Sequence, residues 1–192
     1  MSAMLGPIHF WLYAKIGNQE QLTREIANAA VGSGWIDTAE PYVKTLPPLE
    51  SVIDEGNIHG WLQDQITDAE TRYAALVSLI LSKHEKRLEQ LCQAAYSFGQ
   101  QHALPAKSPE EVYKAFEDFF VNGMPCDRVN AVTDTSADHL SWEMTQDIHA
   151  PYWNGDTAPY YAIRKSVMEG MLNGSGYSLE SQDDFHYSIV TK

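Results

Sequence analysis

Cysteine is scarce in this chain of 192 residues, where Cys92 and Cys126 are the only two. That is too few for the disulfide scaffold of a small secreted domain, and it suits a reducing compartment, so the fold is expected to form without disulfides or a structural metal. Basic side chains are also in short supply. There are 13 Lys and Arg against 26 Asp and Glu, a net charge of −13. Such an excess is repelled by nucleic-acid phosphates and by anionic lipid, so neither is an expected partner. Long apolar runs are missing too: the best, Ala74 to Leu81, is interrupted by Ser78 and falls far short of the roughly 20 residues needed to cross a bilayer. The start, Met1 to Phe10, has no basic segment and no small-residue cleavage site after an apolar run. No signal peptide is read there, and a cytoplasmic location is expected. The common catalytic signatures are absent as well. The chain has no Gly-rich nucleotide loop, no His-Glu-x-x-His, no Cys-x-x-Cys and no Glu-x-x-His.

Aromatic residues, by contrast, are plentiful, with 5 Trp, 10 Tyr and 6 Phe. A chain of this length carrying that much bulky material is expected to form a single domain over 1–192, helical over about 7–123 and mixed over about 124–192. Pro7 opens a helix on which Ile8, Leu12, Ile16, Leu22, Ile26 and Ala30 recur at helical spacing, stopped by Gly32-Ser33-Gly34. The next 25 residues keep no period and read as an excursion, a candidate lid or partner surface. From Asn57 to about His102 nothing interrupts helical patterning. A helix that long would span about 65 Å, so it must project or break, and Thr67-x-x-Glu70, a capping-box pattern, is the expected break. Tyr73, Val77, Ile80, His84, Leu88, Leu91 and Ala95 form an apolar seam suited to a bundle core or a homodimer interface.

Ser108-Pro109-Glu110-Glu111 has the cap, the N1 proline and the acidic first turn of another helix, which stops at Asn122-Gly123. The period then changes to two. Val129, Ala131 and Thr133 alternate before a turn, Leu140, Trp142 and Met144 after it, giving a β-hairpin. Pro159 opens a helix with Ile163, Val167 and Met171, and a second hairpin carries Tyr177 and Leu179, then Phe185, Tyr187 and Ile189. The expected class is therefore α+β: N-terminal antiparallel helices, one of them long, packed with a small antiparallel sheet of order hairpin-helix-hairpin. An all-α bundle is the alternative, since the segment from His139 to Ile148 can also be drawn as a helix.

Ile8-His9-x-Trp11-Leu12-x-x-x-Ile16-x-x-x-Glu20 returns as Ile58-His59-x-Trp61-Leu62-x-x-x-Ile66-x-x-x-Glu70, six identities in thirteen positions. About one is expected from average composition. Each histidine falls in the first turn of a helix, so the two helix starts could meet and present both imidazoles to one pocket; the plainer reading is core packing by Trp and Leu with a local histidine cap. A second concentration of ionisable groups runs from His139 through Glu143 and Asp147 to His149. Imidazole beside carboxylate suits a metal centre or a general acid/base pair, and equally the solvent face of a hairpin. Cys126, with Arg128 nearby, is the better candidate nucleophile of the two cysteines, with His139 or His149 as base. His84 in the seam reads as a core histidine.

The candidate catalytic residues are thus Cys126, His139, Glu143 and His149. Trp11, Trp61, Tyr152, Trp153, Tyr161 and Arg164 are the candidate ligand-binding wall, and His9, His59, His139 and Glu143 the candidate metal ligands. In outline the C-terminal order is similar to small-molecule and haem-gas sensing domains, although Tyr161-Ala162-Ile163-Arg164 departs from a Tyr-x-Ser-x-Arg haem-carboxylate motif. The leading expectation is a sensory or regulatory domain binding a small molecule or a cofactor, with a transition metal or haem among the candidates. A metal-assisted or Cys-dependent enzyme and a dimerising interaction protein are the alternatives.

Overall fold

The computed structural model describes residues 4–103 and 105–192; Met1–Ala3, part of the segment read for a signal peptide, lie outside the described residues. Two helices of equal length come first, α1 (Pro7–Gly32) and α2 (Ile58–Lys83). They are followed by α3 (Arg87–Gln101) and α4 (Pro109–Phe119). The chain then forms β1 (Asn130–Thr135), β2 (His139–Met144), α5 (Ala158–Met171), β3 (Tyr177–Ser181) and β4 (His186–Thr191). The strands make one antiparallel sheet of order β1-β2-β4-β3, in which the two hairpins join through β2 and β4. The α+β class is borne out, and His139 to Met144 is a strand rather than a helix.

The sheet follows from alternation. Leu140, Trp142 and Met144 of β2, with Tyr187 and Ile189 of β4, are buried on the inner face, where Trp142 stacks on Tyr187 and meets Phe116 of α4. The outer face carries His139, Ser141 and Glu143. The cap of α4 forms as its sequence indicates, with Ser108 Oγ accepting from the Glu111 N–H, while the Glu111 carboxylate accepts from Lys107 N–H. Helices α3 and α5 approach backbone to backbone where Gly99 faces Gly170.

α1 and α2 run parallel, where the sequence suggested antiparallel helices. Contacts advance together along both: His9 meets His59, Tyr13 meets Trp61, and Glu20 pairs with Arg72. The fifty-residue echo extends into the packing. Leu12, Ile16, Gln19, Glu20, Thr23, Ile26, Ala27 and Ala30 are buried on α1, and the residues fifty positions later, from Leu62 and Ile66 to Val77 and Ile80, are buried on α2.

A parallel pair must be joined by a chain that travels back the length of a helix, about 39 Å for 26 residues. That is the physical reason for the excursion over 33–57, which is a return strap laid along the α1/α2 groove. Tyr13 Oη donates to the Pro47 carbonyl at 2.9 Å, Arg24 to the Lys44 carbonyl at 3.1 Å and Arg72 to the Tyr42 carbonyl at 2.6 Å. Lys44 ties the strap to Asp68 of α2 at 2.9 Å. Ile36 and Leu49 anchor it in the core.

The expected break at Thr67 is not there. Thr67 and Glu70 lie inside α2, and the chain breaks at His84, whose backbone turns extended (φ −170°, ψ 104°) and whose side chain is exposed. The seam therefore does not continue through His84. Tyr73, Val77, Ile80, Leu91 and Ala95 are all buried within this one chain, and Leu88 is half-buried against the same core. No helix of the described residues is long and apolar enough to cross a membrane.

Candidate functional site

The loop from Phe120 to Arg128 links α4 to β1 and lies over the first turns of α2. Its shape is tightly specified. Gly123 has φ +72°, and a Cβ there would come 2.5 Å from Asp127 Oδ2, which itself accepts the Met124 N–H at 2.8 Å. Pro125–Asp127 is a single 3-10 turn, and Arg128 follows in left-handed conformation at φ 48°. For a non-glycine residue that conformation costs of order 1 kcal/mol. The turn places the exposed Cys126 at its tip.

One cavity opens on each side of this loop. The first, of about 230 Å³, is lined by Ile8, His9, Leu12, His59, Leu62, Met124, Pro125 and Cys126. Here the echoed helix starts meet. His9 Nε2 and His59 Nε2 are 3.4 Å apart, with ring centroids 5.5 Å apart. The Gly6 N–H donates to His9 Nδ1 at 2.9 Å, so that nitrogen is a bare acceptor and the proton of His9 sits on Nε2, facing the Nε2 lone pair of His59. The arrangement leaves the pair with one hydrogen-bonding proton between them and apolar walls around it. It does not favour a metal at His9, whose Nε2 would first have to give up that proton.

The second cavity, of about 80 Å³, is lined by Gln63, Ile66, Glu70, Val121, Gly123, Asp127, Ile148, His149 and Tyr152. Glu70 and His149 are each 1% exposed. Glu70 Oε1 and His149 Nδ1 lie 3.2 Å apart but are not aligned for a hydrogen bond, and neither carboxylate oxygen nor either ring nitrogen has a hydrogen-bond partner among the described residues. The His149 ring is held flat on Tyr160, centroids 3.9 Å apart. Behind it Arg164, also buried, donates to Tyr160 Oη at 3.2 Å and Asn122 Oδ1 at 2.9 Å.

The structure disperses the other sequence candidates. His139 binds Asp134 Oδ2 at 2.9 Å on the outer sheet face, and that bond holds its pKa above the ordinary histidine value. Glu143 lies beside His186, 3.5 Å away, instead of His149. The four candidate metal ligands thus fall in three separate places, His9 with His59, His139 with Asp134 and Glu143 with His186. No group of three or more His, Cys, Asp or Glu among the described residues is placed to hold a metal ion.

Of the aromatic wall, only Tyr152 lines either cavity. Trp11 donates to Asp118 at 2.9 Å, Trp61 packs on Tyr13, Trp153 is buried against Tyr73 and Tyr160, and Tyr161 donates to Asp147 at 2.9 Å. Arg164 is a buried structural cation over the Phe120 ring rather than a ligand clamp. Trp153, Tyr161 and Arg164 are buried and Trp11 and Trp61 are half-buried against the core, because a ring near a histidine in sequence packs wherever its helix face points. Glu70 is the residue that sequence reasoning missed. Its signal was present in the echo, as a carboxylate on the buried stripe at the position equivalent to Glu20.

The two thiols differ in a measurable way. Cys92 is half-buried on α3, and burial pushes its pKa up, partly opposed by a hydrogen bond from Ser166. Iodoacetamide at pH 8 is expected to label exposed Cys126 about tenfold faster than Cys92, read by peptide mass spectrometry. Equal rates would show that the turn shields Cys126.

Compared with protein-family models, curated proteins and solved structures, the chain matches none.

Proposed function

We propose that the chain is a small-molecule-binding domain whose ligand enters the recess at the paired starts of α1 and α2. The observation that carries this reading is the His9–His59 contact at 3.4 Å in the recess of about 230 Å³. Pockets for drug-sized ligands run to about 300–1,000 Å³, so the fitting ligand is fragment-sized. It is largely apolar, to match Ile8, Leu12, Leu62 and Met124, and carries one polar group for the imidazole pair.

Ile8 lies on the rim and is 50% exposed, so a larger side chain there can cover the recess without disturbing the core. Indole is expected to shift the ring signals of His9 and His59 in NMR, and Ile8→Trp to weaken it at least tenfold with no change in Tm. Failure of indole and toluene alike to move either histidine would sink the reading. Native mass spectrometry of the chain as purified is the direct search for the natural ligand.

A second reading has one observation behind it, the exposed Cys126 on the same rim. There the ligand would be a substrate and the thiol its nucleophile. Under this reading the alkylated protein loses turnover of any substrate found; retained turnover removes the thiol mechanism.

A further inference from the structure

We infer that Glu70 and His149 form an open binding site for a divalent first-row transition-metal ion, in the cavity of about 80 Å³ on the other side of the Phe120–Arg128 loop. Four observations converge on this assignment.

The donor set comes first. An imidazole nitrogen and a carboxylate oxygen suit zinc, cobalt, iron or manganese. Ligands at the usual 2.0–2.2 Å from such an ion, at tetrahedral or octahedral angles, sit about 2.9–3.5 Å from each other. Glu70 Oε1 and His149 Nδ1 are 3.2 Å apart and not aligned as donor and acceptor. This is the spacing of two ligands on one ion.

Charge is the second. Two carboxylates, Glu70 and Asp127, line the cavity, and no Lys or Arg does. A carboxylate buried without a partner is strongly disfavoured. An imidazolium at His149 does not answer this well, because its second N–H would be left buried with no acceptor: both ring nitrogens lack a partner.

The echo provides the third observation. Glu20 occupies the equivalent position on α1, equally buried, and there the fold supplies the cation itself, with Arg72 donating to both carboxylate oxygens. At Glu70 the fold supplies only the His149 ring, 3.2 Å away and unaligned, beside a cavity that both residues line.

The last is room. The cavity holds an ion together with waters, which the Gln63, Asp127 and Tyr152 side chains along its wall can bind. With two protein ligands the rest of the coordination sphere is left to water, so affinity is modest.

The test uses the full chain after dialysis against chelator. Cobalt(II) should bind at one equivalent in the micromolar range, with visible ligand-field bands, and zinc should displace it. Glu70→Gln and His149→Asn are each expected to weaken binding at least tenfold, whereas His59→Gln leaves it unchanged. The unmutated chain gives an independent readout that does not depend on how the variants fold: cobalt should shift the ring signals of His149 and of Tyr160 stacked on it. Binding that survives both Glu70→Gln and His149→Asn overturns the assignment. So does binding lost in His59→Gln, or no binding at all, which would leave the four polar atoms to ordered water. Because indole is read at His9 and His59 and cobalt at His149, failure of one reading leaves the other standing.

Discussion

Replacing Gly170 by alanine should lower the stability of this chain by about 3 kcal/mol, although a helical Gly→Ala change ordinarily raises it by up to about 1 kcal/mol. The reversal comes from the α3–α5 contact. A Cβ on Gly170 would stand 2.2 Å from the Tyr96 carbonyl oxygen and 3.0 Å from the Gly99 Cα, and one on Gly99 would meet the Val167 carbonyl oxygen at 2.2 Å. These are backbone atoms in the middle of helices, so no side chain can rotate away and the helices must part. Parting them loosens Leu91, Ala95 and Phe98 on one side and Ile163, Val167 and Met171 on the other, all buried. For a protein of this size each kcal/mol moves Tm by about 2–4 °C, so a fall of roughly 6–12 °C is expected. Gly17 in α1 has nothing within 4 Å of its would-be Cβ, so Gly17→Ala should shift Tm slightly upward. Thermal unfolding of the two variants reads the contrast; equal behaviour would mean that the α3–α5 approach is looser than described.

The second large effect has the opposite sign. Lys15 is 2% exposed and makes no hydrogen bond among the described residues, and its Nζ rests 4.0 Å over the Trp11 ring. Burial lowers its pKa from 10.5 to about 8, with Glu117 opposing the shift and Arg164 adding to it. Below about pH 8 the folded chain thus holds a charge that the unfolded chain holds more comfortably. Between about pH 8 and 10.5 the unfolded state binds more protons than the folded one, so the cost is relieved as pH rises. The shift corresponds to about 3 kcal/mol at neutral pH, from which about 1 kcal/mol of cation–π attraction to Trp11 must be subtracted. Lys15→Met should therefore be more stable than the parent by about 2 kcal/mol at pH 7, with the advantage gone by about pH 10.5. Denaturant titrations of the two proteins at both pH values give the comparison. A destabilised Lys15→Met at pH 7 would mean that the ammonium is held by more than the Trp11 ring.

Elements governed by local rules could be read directly. The Ser108 cap, both hairpins and α5 depend on neighbours a few residues away, and they stand where the patterning put them. The break between α2 and α3 could not be read, because His84, Glu85 and Lys86 include neither glycine nor proline. It is fixed from elsewhere in the chain: Lys83 donates to the Trp35 carbonyl, Arg87 to the Ile80 carbonyl, and the Arg87 guanidinium lies over the Trp35 ring. Helix direction was hidden for a related reason, since periodicity gives a face and no polarity.

The same division runs through the site. The meeting of His9 with His59 was legible because both halves of it are written in the echo. The Glu70–His149 pair joins segments almost eighty residues apart in different elements, and no spacing rule reaches across them. Proximity in sequence misled in the other direction at Trp11, Trp61 and Trp153, each close to a histidine in the chain and packed away from its imidazole or into the core.

The parallel course of α1 and α2 also bears on how the molecule comes together. A helical hairpin closes from its turn outward through contacts a few residues apart, but here the first turn of each helix waits for a partner fifty residues along the chain. Closing that loop of fifty residues costs entropy before the contact of His9 with His59 repays any of it. The apolar recess therefore exists only once the starts of α1 and α2 have paired beneath the Met124–Cys126 turn, and a molecule bound there would hold the first helix to the rest of the chain.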